Sequence, residues 1–346
     1  MLLDEFDYIL PPHLIAQLPR KRGDARLLAL NRADGNVIHS SFSKLDSFLQ
    51  PDDLLVLNDT RVSARRLKAL REDGQEAELL LLHPAGENQW EALVRPGLKP
   101  GRKLRLLKEN GDEAGIIVQI SAITADGGRL LEFPDRITRD SAYCLGIVPL
   151  PPYIRSPLPG DQEERYQTVY ASKAGSAAAP TAGLHFTREH ITQLREDGIS
   201  FTNITLHIGI DTFRPVRTEV IENHEMHGEI VEINKEAADA VNSASGRIIA
   251  AGTTVVRALE TAAVTARNSG SREKVVPFTG ETRLFLKPGS NFGAVDALIT
   301  NFHLPRSTLL ILVSALAGRD KIMSAYAEAI RNEYQFYSFG DAMLIY

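Results

Sequence analysis

A change of sequence character in the middle of the chain constrains the fold most. Between residues 67 and 148, short apolar segments such as ELLLL, WEALV and KLRLL alternate with turn-forming DG, PG, NG and GG pairs. The spacing is close to the roughly 8–12 residues per strand expected of a small antiparallel barrel or sandwich. We therefore predict that residues 67–148 form a small antiparallel β-barrel domain.

The sequence on both sides of this segment favours a different architecture. Apolar strand-like runs such as LLVL and RIIAAG are followed by polar loops, and amphipathic helices recur between them. A proline-rich stretch at residues 149–159 has the composition of a linker. Repetition of strand, loop and helix indicates a mostly parallel sheet. We predict an α/β fold in which residues 1–66 plus 149–346 form the main α/β domain and the barrel is inserted between them.

Composition and charge exclude several classes of protein. The net charge of −5 gives no global positive field for nucleic acid, so a polyanionic partner would need a local basic patch. The single cysteine, Cys144, excludes an internal disulfide and a cysteine-rich zinc site. The N-terminus carries acids where a signal peptide carries bases, and the longest apolar run, residues 309–318, is too short to span a bilayer. We expect a cytoplasmic monomer without membrane association.

Histidine-bearing loops cluster in the second half of the chain. The segments APTAGLHF, LHIGIDTF, NHEMHGE and TNFHLP are rich in Gly, Thr, Asn and Pro as well as His. In open α/β sheets, ligands bind beyond the carboxyl ends of the strands. NDTR, LHIG, AAGTT and TNFH all follow predicted strands. We therefore predict one site assembled from several loops at the carboxyl edge of the sheet.

Titratable side chains in these loops are the candidates for proton transfer. A single histidine flanked by apolar residues is more often a core residue, but the shared position at strand ends favours function. Glu229 could hold His227 in one tautomer, and Asp211 is a further carboxylate in the same region. HEMHGE has H-E-x-H spacing instead of H-E-x-x-H, so we predict no metal site. The predicted catalytic residues are His185, His207, His227, Glu229 and Asp59.

Small and polar residues at the same strand ends are predicted to bind substrate. Glycines such as Gly183 would let a ligand approach the main chain. AAGTT resembles a nucleotide-binding turn in which N–H groups open a helix, although a plain threonine cap by Thr253 or Thr254 is an equal alternative. The predicted substrate-binding residues are Arg61, Thr181, Gly183, Gly209, Thr212, Gly252, Thr253, Thr254, Asn301 and His303.

Two basic clusters could contact a polyanion. Residues 95–108 contain six bases and no acid, which is typical either of a solvated barrel edge or of a phosphate-binding patch. A second cluster, Arg61, Arg65, Arg66 and Lys68, adjoins the predicted site.

Long ordered motifs relate the chain to a known family. They are FDYILPPHLIAQLP, DLLVLNDTRV, AAAPTAGLHFT, TLHIGIDTFRPV, HEMHGE, IIAAGTTVVRALE, TNFHLPRSTLL and YSFGDAML, and they extend from residue 6 to residue 344. On these segments the chain closely resembles the S-adenosylmethionine:tRNA ribosyltransferase-isomerases of queuosine biosynthesis. The resemblance covers essentially the whole chain, and it also implies an α/β domain with an inserted β-barrel.

The resemblance implies an unusual use of S-adenosylmethionine as co-substrate, with no cofactor and no metal. Its ribosyl part would be transferred and isomerised onto the aminomethyl group of 7-aminomethyl-7-deazaguanine, at the wobble position of a tRNA with a GUN anticodon. Adenine and methionine would be released, and the product would be epoxyqueuosine-tRNA. The sulfonium acidifies the adjacent C5′ hydrogens, so such a site needs a base, an acid for adenine and exclusion of water.

Two other functions predict different sequences. A conventional S-adenosylmethionine-dependent methyltransferase would show a glycine-rich first strand–loop followed by an acidic second strand end, and this chain shows neither. A non-catalytic RNA-binding module would be basic, with aromatic residues for stacking. The pI near 6.0 and the single Trp are evidence against such a module.

Overall fold

The computed structural model of the chain describes residues 1–108, 110–124, 127–138, 141–142, 145–155, 158, 160–209 and 216–346. These residues form a nine-stranded sheet, a closed six-stranded barrel and a two-stranded sheet. The α/β fold with an inserted antiparallel barrel is therefore confirmed. The strands outside the barrel are β1 (Arg26–Leu30), β2 (Val37–Ser41), β3 (Leu54–Asn58), β4 (Thr60–Val62), β11 (Lys173–Ser176), β12 (Ser200–His207), β13 (Glu229–Ile233), β14 (Ile248–Ala251), β15 (Phe278–Thr282), β16 (Ala297–Asn301) and β17 (Ala342–Ile345).

The nine-stranded sheet is parallel at its centre and mostly antiparallel toward its edges. Its order is β15-β13-β12-β3-β14-β16-β17-β1-β2. The central strands β12, β3, β14 and β16 all run in the same direction. Strands β13 and β15 are antiparallel additions on one side, and β17 and β1 form a further parallel pair on the other. The carboxyl ends of the four central strands therefore meet at one edge.

Alternating side chains place two hydrophobic layers on the central strands. In β3, Leu54 and Val56 join the larger core on one face, whereas Leu55 and Leu57 join the core on the opposite face. Helices cover both faces, which is why the residues of β3 are buried along its whole length. The helices are α1 (Arg188–Glu196), α2 (Lys235–Ser243), α3 (Thr253–Asn268), α4 (Thr308–Ala317) and α5 (Arg319–Arg331).

The barrel leaves the main sheet after β3 and β4, at the edge where the central strands end. Its core contains the only tryptophan of the chain, Trp90, packed among alternating Leu, Ile, Val and Ala side chains. The barrel is closed in the order β10-β7-β6-β5-β8-β9. Its strands are β5 (Arg65–Arg71), β6 (Glu76–Pro84), β7 (Gln89–Arg95), β8 (Lys103–Leu107), β9 (Glu113–Ile123) and β10 (Arg129–Glu132).

Closure of the barrel corrects one interpretation of the basic segment at residues 95–108. Strand β8 pairs with β5 on one side and β9 on the other, so this segment is not a sheet edge. The exact domain boundaries at residues 66/67 and 148/149 stay a prediction.

A Ser or Thr just before a helical segment predicts an N-cap at Thr187, at Ser307 and at Thr253 or Thr254, and the first two of these caps are confirmed. Thr187 caps α1 by accepting a hydrogen bond from the His190 N–H, and Ser307 caps α4 in the same way. The predicted threonine cap of α3 is wrong. Gly252 occupies the N-cap position with φ 110°, and no side chain caps the helix, because Thr253 and Thr254 already lie in its first turn.

The proline-rich stretch after the barrel is packed against the protein. Leu150, Ile154 and Leu158 are buried in a cluster with Val62 and Tyr166. This segment, predicted as a linker, therefore joins the two parts of the chain through apolar contact as well as covalently. In the described part of the chain, no helix is long and apolar enough to cross a membrane.

Candidate active site

A cleft opens where the central parallel strands end. Its empty volume is about 710 Å³, including the solvent-open mouth, which is within the usual range for small-molecule sites. The 3-10 helix Thr181–His185, the start of α3 and the loop after β16 form its walls. The lining residues are Tyr153, Ala179, Pro180, Thr181, Ala182, Ile208, Gly252, Thr253, Thr254, Thr300, Asn301, Phe302, His303, Leu304, Ser307, Leu309, Tyr337 and Ser338.

The predicted substrate-binding residues divide into two groups. The structure brings six of them together in the cleft wall: Thr181, Gly252, Thr253, Thr254, Asn301 and His303. Gly183, Gly209 and Arg61 are not among the described lining residues. Arg61 instead forms a largely exposed ion pair with Glu164 at 2.6 Å. Thr212, like Asp211, lies outside the described residues.

Gly183 is packed against protein and does not face the cleft. A Cβ atom at this position would lie 2.1 Å from the Tyr170 hydroxyl and 2.8 Å from the Thr168 Cγ2. Such distances are far shorter than van der Waals contact, so neighbouring residues alone exclude a side chain here. Packing against Tyr170 and Thr168 therefore explains why this position is glycine. The sequence alone had instead predicted that a ligand approaches the main chain here.

His303 and Asn301 bring polar groups into the cleft. Burial lowers the pKa of His303 to about 3, and its Nε2 lies 2.8 Å from the Thr300 Oγ1. The Asn301 Nδ2 lies 3.1 Å from the Nε2 of His185. The Oδ1 of Asn301 is buried, and it has no hydrogen-bond partner among the described residues. A buried acceptor without a partner is costly, so a ligand with an N–H or O–H group would complete this site.

His185 lies behind the cleft wall. Burial, followed by the charges of Arg20 and Arg22, lowers its pKa to about 4. Its ring packs 5.1 Å from the ring of Phe42. At neutral pH the imidazole is therefore uncharged, and it supports Asn301 from a position in a neighbouring basic pocket.

Asn58, which was not among the predicted site residues, links the strand ends by hydrogen bonds. Its Nδ2 donates to the Leu206 carbonyl at 3.0 Å and to the Thr254 Oγ1 at 3.3 Å. Its Oδ1 accepts from the N–H groups of Leu206 and Thr60. This buried amide therefore joins β3, β12 and the first turn of α3, and it fixes the position of Thr254 in the cleft wall.

Asp59 and His207 form a polar network beside the same strand ends. The Asp59 carboxylate accepts hydrogen bonds from Ser172 at 2.8 Å and Thr205 at 2.7 Å. The Nδ1 of His207 lies 2.8 Å from the Thr60 Oγ1, and burial lowers the pKa of this half-buried imidazole. The described cleft lining does not include these two predicted catalytic residues.

Glu229 lies within ion-pair distance of the expected partner, His227, and it also has a second partner. The Nε2 of His227 lies 3.8 Å from the Glu229 Oε1, and the other carboxylate oxygen of Glu229 forms a buried ion pair with Arg257 of α3. Arg257 also donates to the Leu284 carbonyl at 3.1 Å. The pair thus anchors α3 to β13, and neither Glu229 nor His227 is among the described lining residues of the cleft.

Electrostatically, the cleft is nearly neutral. None of its described lining side chains is Asp, Glu, Lys or Arg. The uncapped start of α3 turns N–H groups toward the wall formed by Gly252, Thr253 and Thr254, which favours a negatively charged group there. Among the described residues, no group of three or more His, Cys, Asp or Glu side chains could hold a metal ion.

Comparison with known proteins identifies the family. A family model described as "Queuosine biosynthesis protein" matches residues 3–345. The chain belongs to this queuosine biosynthesis family. It is 49% identical to the S-adenosylmethionine:tRNA ribosyltransferase-isomerase of Carboxydothermus hydrogenoformans over 350 residues, covering 100% of both chains. It is 47% identical to the protein of the same name from Caldanaerobacter subterraneus, again over 100% of both chains.

A solved structure of the family supports the same assignment. The crystal structure of S-adenosylmethionine tRNA ribosyltransferase from Thermotoga maritima is 35% identical in sequence, with a TM-score of 0.55. The match covers 99% of this chain and 100% of the other.

In this family member, sequence reasoning missed the aromatic part of the cleft. Tyr153 and Tyr337 line it with ring centroids 4.7 Å apart, and the Tyr153 hydroxyl lies 2.6 Å from the Ser338 Oγ. Tyr337 has φ 72°, a conformation that is rare for a bulky residue. Tyr153 belongs to the proline-rich stretch at residues 149–159 and Tyr337 to the motif YSFGDAML, and nothing in either local pattern indicated that two segments so far apart would meet.

Proposed function

We propose that the chain is an S-adenosylmethionine:tRNA ribosyltransferase-isomerase. It transfers and isomerises the ribosyl moiety of S-adenosylmethionine onto the aminomethyl group of 7-aminomethyl-7-deazaguanine at the tRNA wobble position, and releases adenine and methionine. The observation that carries this function is the full-length match at up to 49% identity to proteins of that name. The cleft at the ends of four parallel strands supplies a place for the donor.

The donor fits the cleft group by group. The Tyr153–Tyr337 pair offers an aromatic surface for adenine, and the unpaired Asn301 Oδ1 can accept a hydrogen bond from its amine. N–H groups at the start of α3, next to Gly252, suit the methionine carboxylate. The sulfonium would lie in a nearly neutral cleft, where its acidifying effect on C5′ is not offset by an ion pair with a lining carboxylate.

Proton transfer in this reaction needs a group that is uncharged or deprotonated near neutral pH. His303 meets this condition, since burial keeps its imidazole neutral, and it is the one predicted catalytic or binding histidine in the described cleft lining. A pKa of about 3 makes it a weak base, so we assign it a hydrogen-bonding role toward the donor. His207 and Asp59 remain the candidates for the base, and their network would have to reach C5′ when the nucleotide enters.

Finer points of the function are also proposals. We propose that the tRNA carries a GUN anticodon, that the enzyme acts as a monomer in the cytoplasm, and that the reaction uses no metal and no cofactor besides the co-substrate. Activity that survives EDTA, together with a sedimentation coefficient of a single chain, would support these points.

Labelled donor provides the decisive test. Precursor tRNA carrying 7-aminomethyl-7-deazaguanine is incubated with S-adenosylmethionine labelled either in the ribose or in the methyl group. We expect the ribose label in the RNA, and the methyl label in free methionine with an equal amount of adenine. Methyl label in the RNA with S-adenosylhomocysteine would identify a conventional methyltransferase. RNA binding without donor consumption would identify a non-catalytic module.

A further inference from the structure

A second, smaller pocket adjoins the cleft and is strongly basic. Its empty volume is about 360 Å³, including its open mouth. Ser338 lines both the cleft and this pocket, so the two share a wall. The basic pocket is lined by Pro19, Arg20, Lys21, Arg22, Ala25, Arg165, Leu184, His185, Ser338, Phe339 and Gly340.

The positive charges of the basic pocket outnumber the carboxylates of described residues that pair with them. Arg20 pairs with the buried Asp341 at 3.0 Å. Arg22 donates to the backbone carbonyls of Leu184 and Glu164 at 3.3 and 3.1 Å, and no carboxylate pairs with it in the described part of the chain.

The other two cations add to this excess. Arg165 donates to the backbone carbonyl of Arg20, and Lys21 is exposed with no ion pair to a described residue. The carboxylate of Glu164, the acid closest in sequence, is paired with Arg61.

Crowded cations that outnumber their described carboxylate partners are characteristic of an anion-binding site. Burial and then the charge of Arg165 lower the pKa of Arg22, and Arg20 and Arg22 both disfavour protonation of His185. Like charges held together in this way are stabilised when an anion enters between them. Guanidinium groups in particular match the geometry of a phosphate.

We propose that the basic pocket binds a phosphodiester group of the tRNA strand, adjacent to the nucleotide that enters the cleft. The inference rests on the proposed function, because only a polynucleotide substrate brings a phosphate to this position. The methionine carboxylate of the donor is the other anion available to the enzyme. We have assigned that carboxylate to the N–H groups at the start of α3, which no side chain caps, and this assignment leaves the basic pocket for the RNA.

The test compares two double variants with the same change of charge. Lys21→Ala/Arg165→Ala removes two cations from the basic pocket and leaves Arg22 with its carbonyl contacts. Arg272→Ala/Lys274→Ala is the matched control, since both residues are exposed and follow the end of α3, at the edge of the sheet opposite the cleft. Thermal unfolding verifies that each variant is folded, and Lys21→Ala alone provides a version that alters only an exposed side chain.

Affinities for precursor tRNA and for S-adenosylmethionine are measured separately between 50 and 200 mM NaCl. We expect the basic-pocket variant to bind tRNA roughly tenfold more weakly, with a salt dependence flatter by about one unit of log Kd against log salt. Its donor affinity and the tRNA affinity of the control should match those of the unmodified enzyme. A neutral methylphosphonate next to the target nucleotide should weaken binding to the unmodified enzyme but not to the variant.

Three results would overturn the inference. A loss of donor affinity with unchanged tRNA affinity would assign the pocket to the donor's carboxylate. Unchanged affinity for both would show that the pocket takes no anion in this reaction. An equal loss of tRNA affinity in Arg272→Ala/Lys274→Ala would show that the effect comes from the net charge of the protein and not from the basic pocket. Because the unmodified enzyme's release of adenine and methionine is measured independently, each of these outcomes is distinct from failure of the proposed function.

Discussion

Substituting Gly183 by alanine should destabilise the fold before it affects any ligand. The new Cβ would lie 2.1 Å from the Tyr170 hydroxyl, whereas ordinary contact begins near 3.4 Å, so Tyr170 must move by more than an ångström. Overpacking of this kind costs roughly 1–3 kcal/mol. Gly209→Ala is the matched control, because no described residue lies within 4 Å of its Cβ position. Its free energy of unfolding should stay within about 0.5 kcal/mol of the parent.

A second substitution tests the cause. The Tyr170 hydroxyl is buried without a partner among the described residues, so Tyr170→Phe alone should cost little. In that background the closest atom is gone and the Thr168 Cγ2, at 2.8 Å, remains. Gly183→Ala should then lose about 1 kcal/mol of its penalty, measured as a shift of the urea midpoint at constant slope. The reasoning fails if Gly183→Ala unfolds like the parent, or if its penalty is the same in both backgrounds.

Other consequences follow from buried charge and backbone conformation. Folding lowers the pKa of His185 from 6.5 to about 4 and that of His303 from 6.5 to about 3. Between pH 6.5 and these lower values, the two imidazoles are protonated in the unfolded chain but not in the folded one. Stability should therefore be constant above pH 7 and fall as pH drops below 6.5, by at most about 1.4 kcal/mol per pH unit for each imidazole. Urea midpoints from pH 8 to 5 check this, and His185→Gln should flatten the curve. Glu229→Gln leaves Arg257 charged and buried, so we expect a loss of about 3–5 kcal/mol in the same assay. In Gly252→Ala the new Cβ meets no steric obstacle, but the alanine must adopt φ 110°. We expect the free energy of unfolding to fall by about 1 kcal/mol or more, and calorimetry to show weaker donor binding.

Local patterns were sufficient to predict the architecture. The apolar run of β3 and the capping residues Thr187 and Ser307 are signals that neighbouring residues carry, and each element appears where they indicate. The gathering of strand ends at one edge followed from the α/β alternation, and it correctly placed Thr254 and Asn301 in one cleft.

Local sequence patterns could not predict which side chains contact each other across the fold. Glu229 begins β13 two residues after His227, so its nearness to that imidazole could be predicted, but its buried ion pair with Arg257 of α3 could not. Tyr153 was assigned to a linker because its neighbours are prolines. Its place in the cleft wall depends on contact with Tyr337, at the far end of the chain. Such pairings arise from tertiary packing, which no sequence window contains.

The return path of the chain from the barrel has a mechanical consequence. The polypeptide enters the barrel through β4 and β5 and leaves it along residues 145–155, where Ile147 bridges to Arg66 and Tyr153 enters the cleft wall. The two covalent crossings therefore lie side by side and are joined by this bridge. A displacement of the barrel by bound RNA would be transmitted along the few residues from Ile147 to the ring of Tyr153. Contact between the barrel and RNA is thus expected to change the width of the cleft.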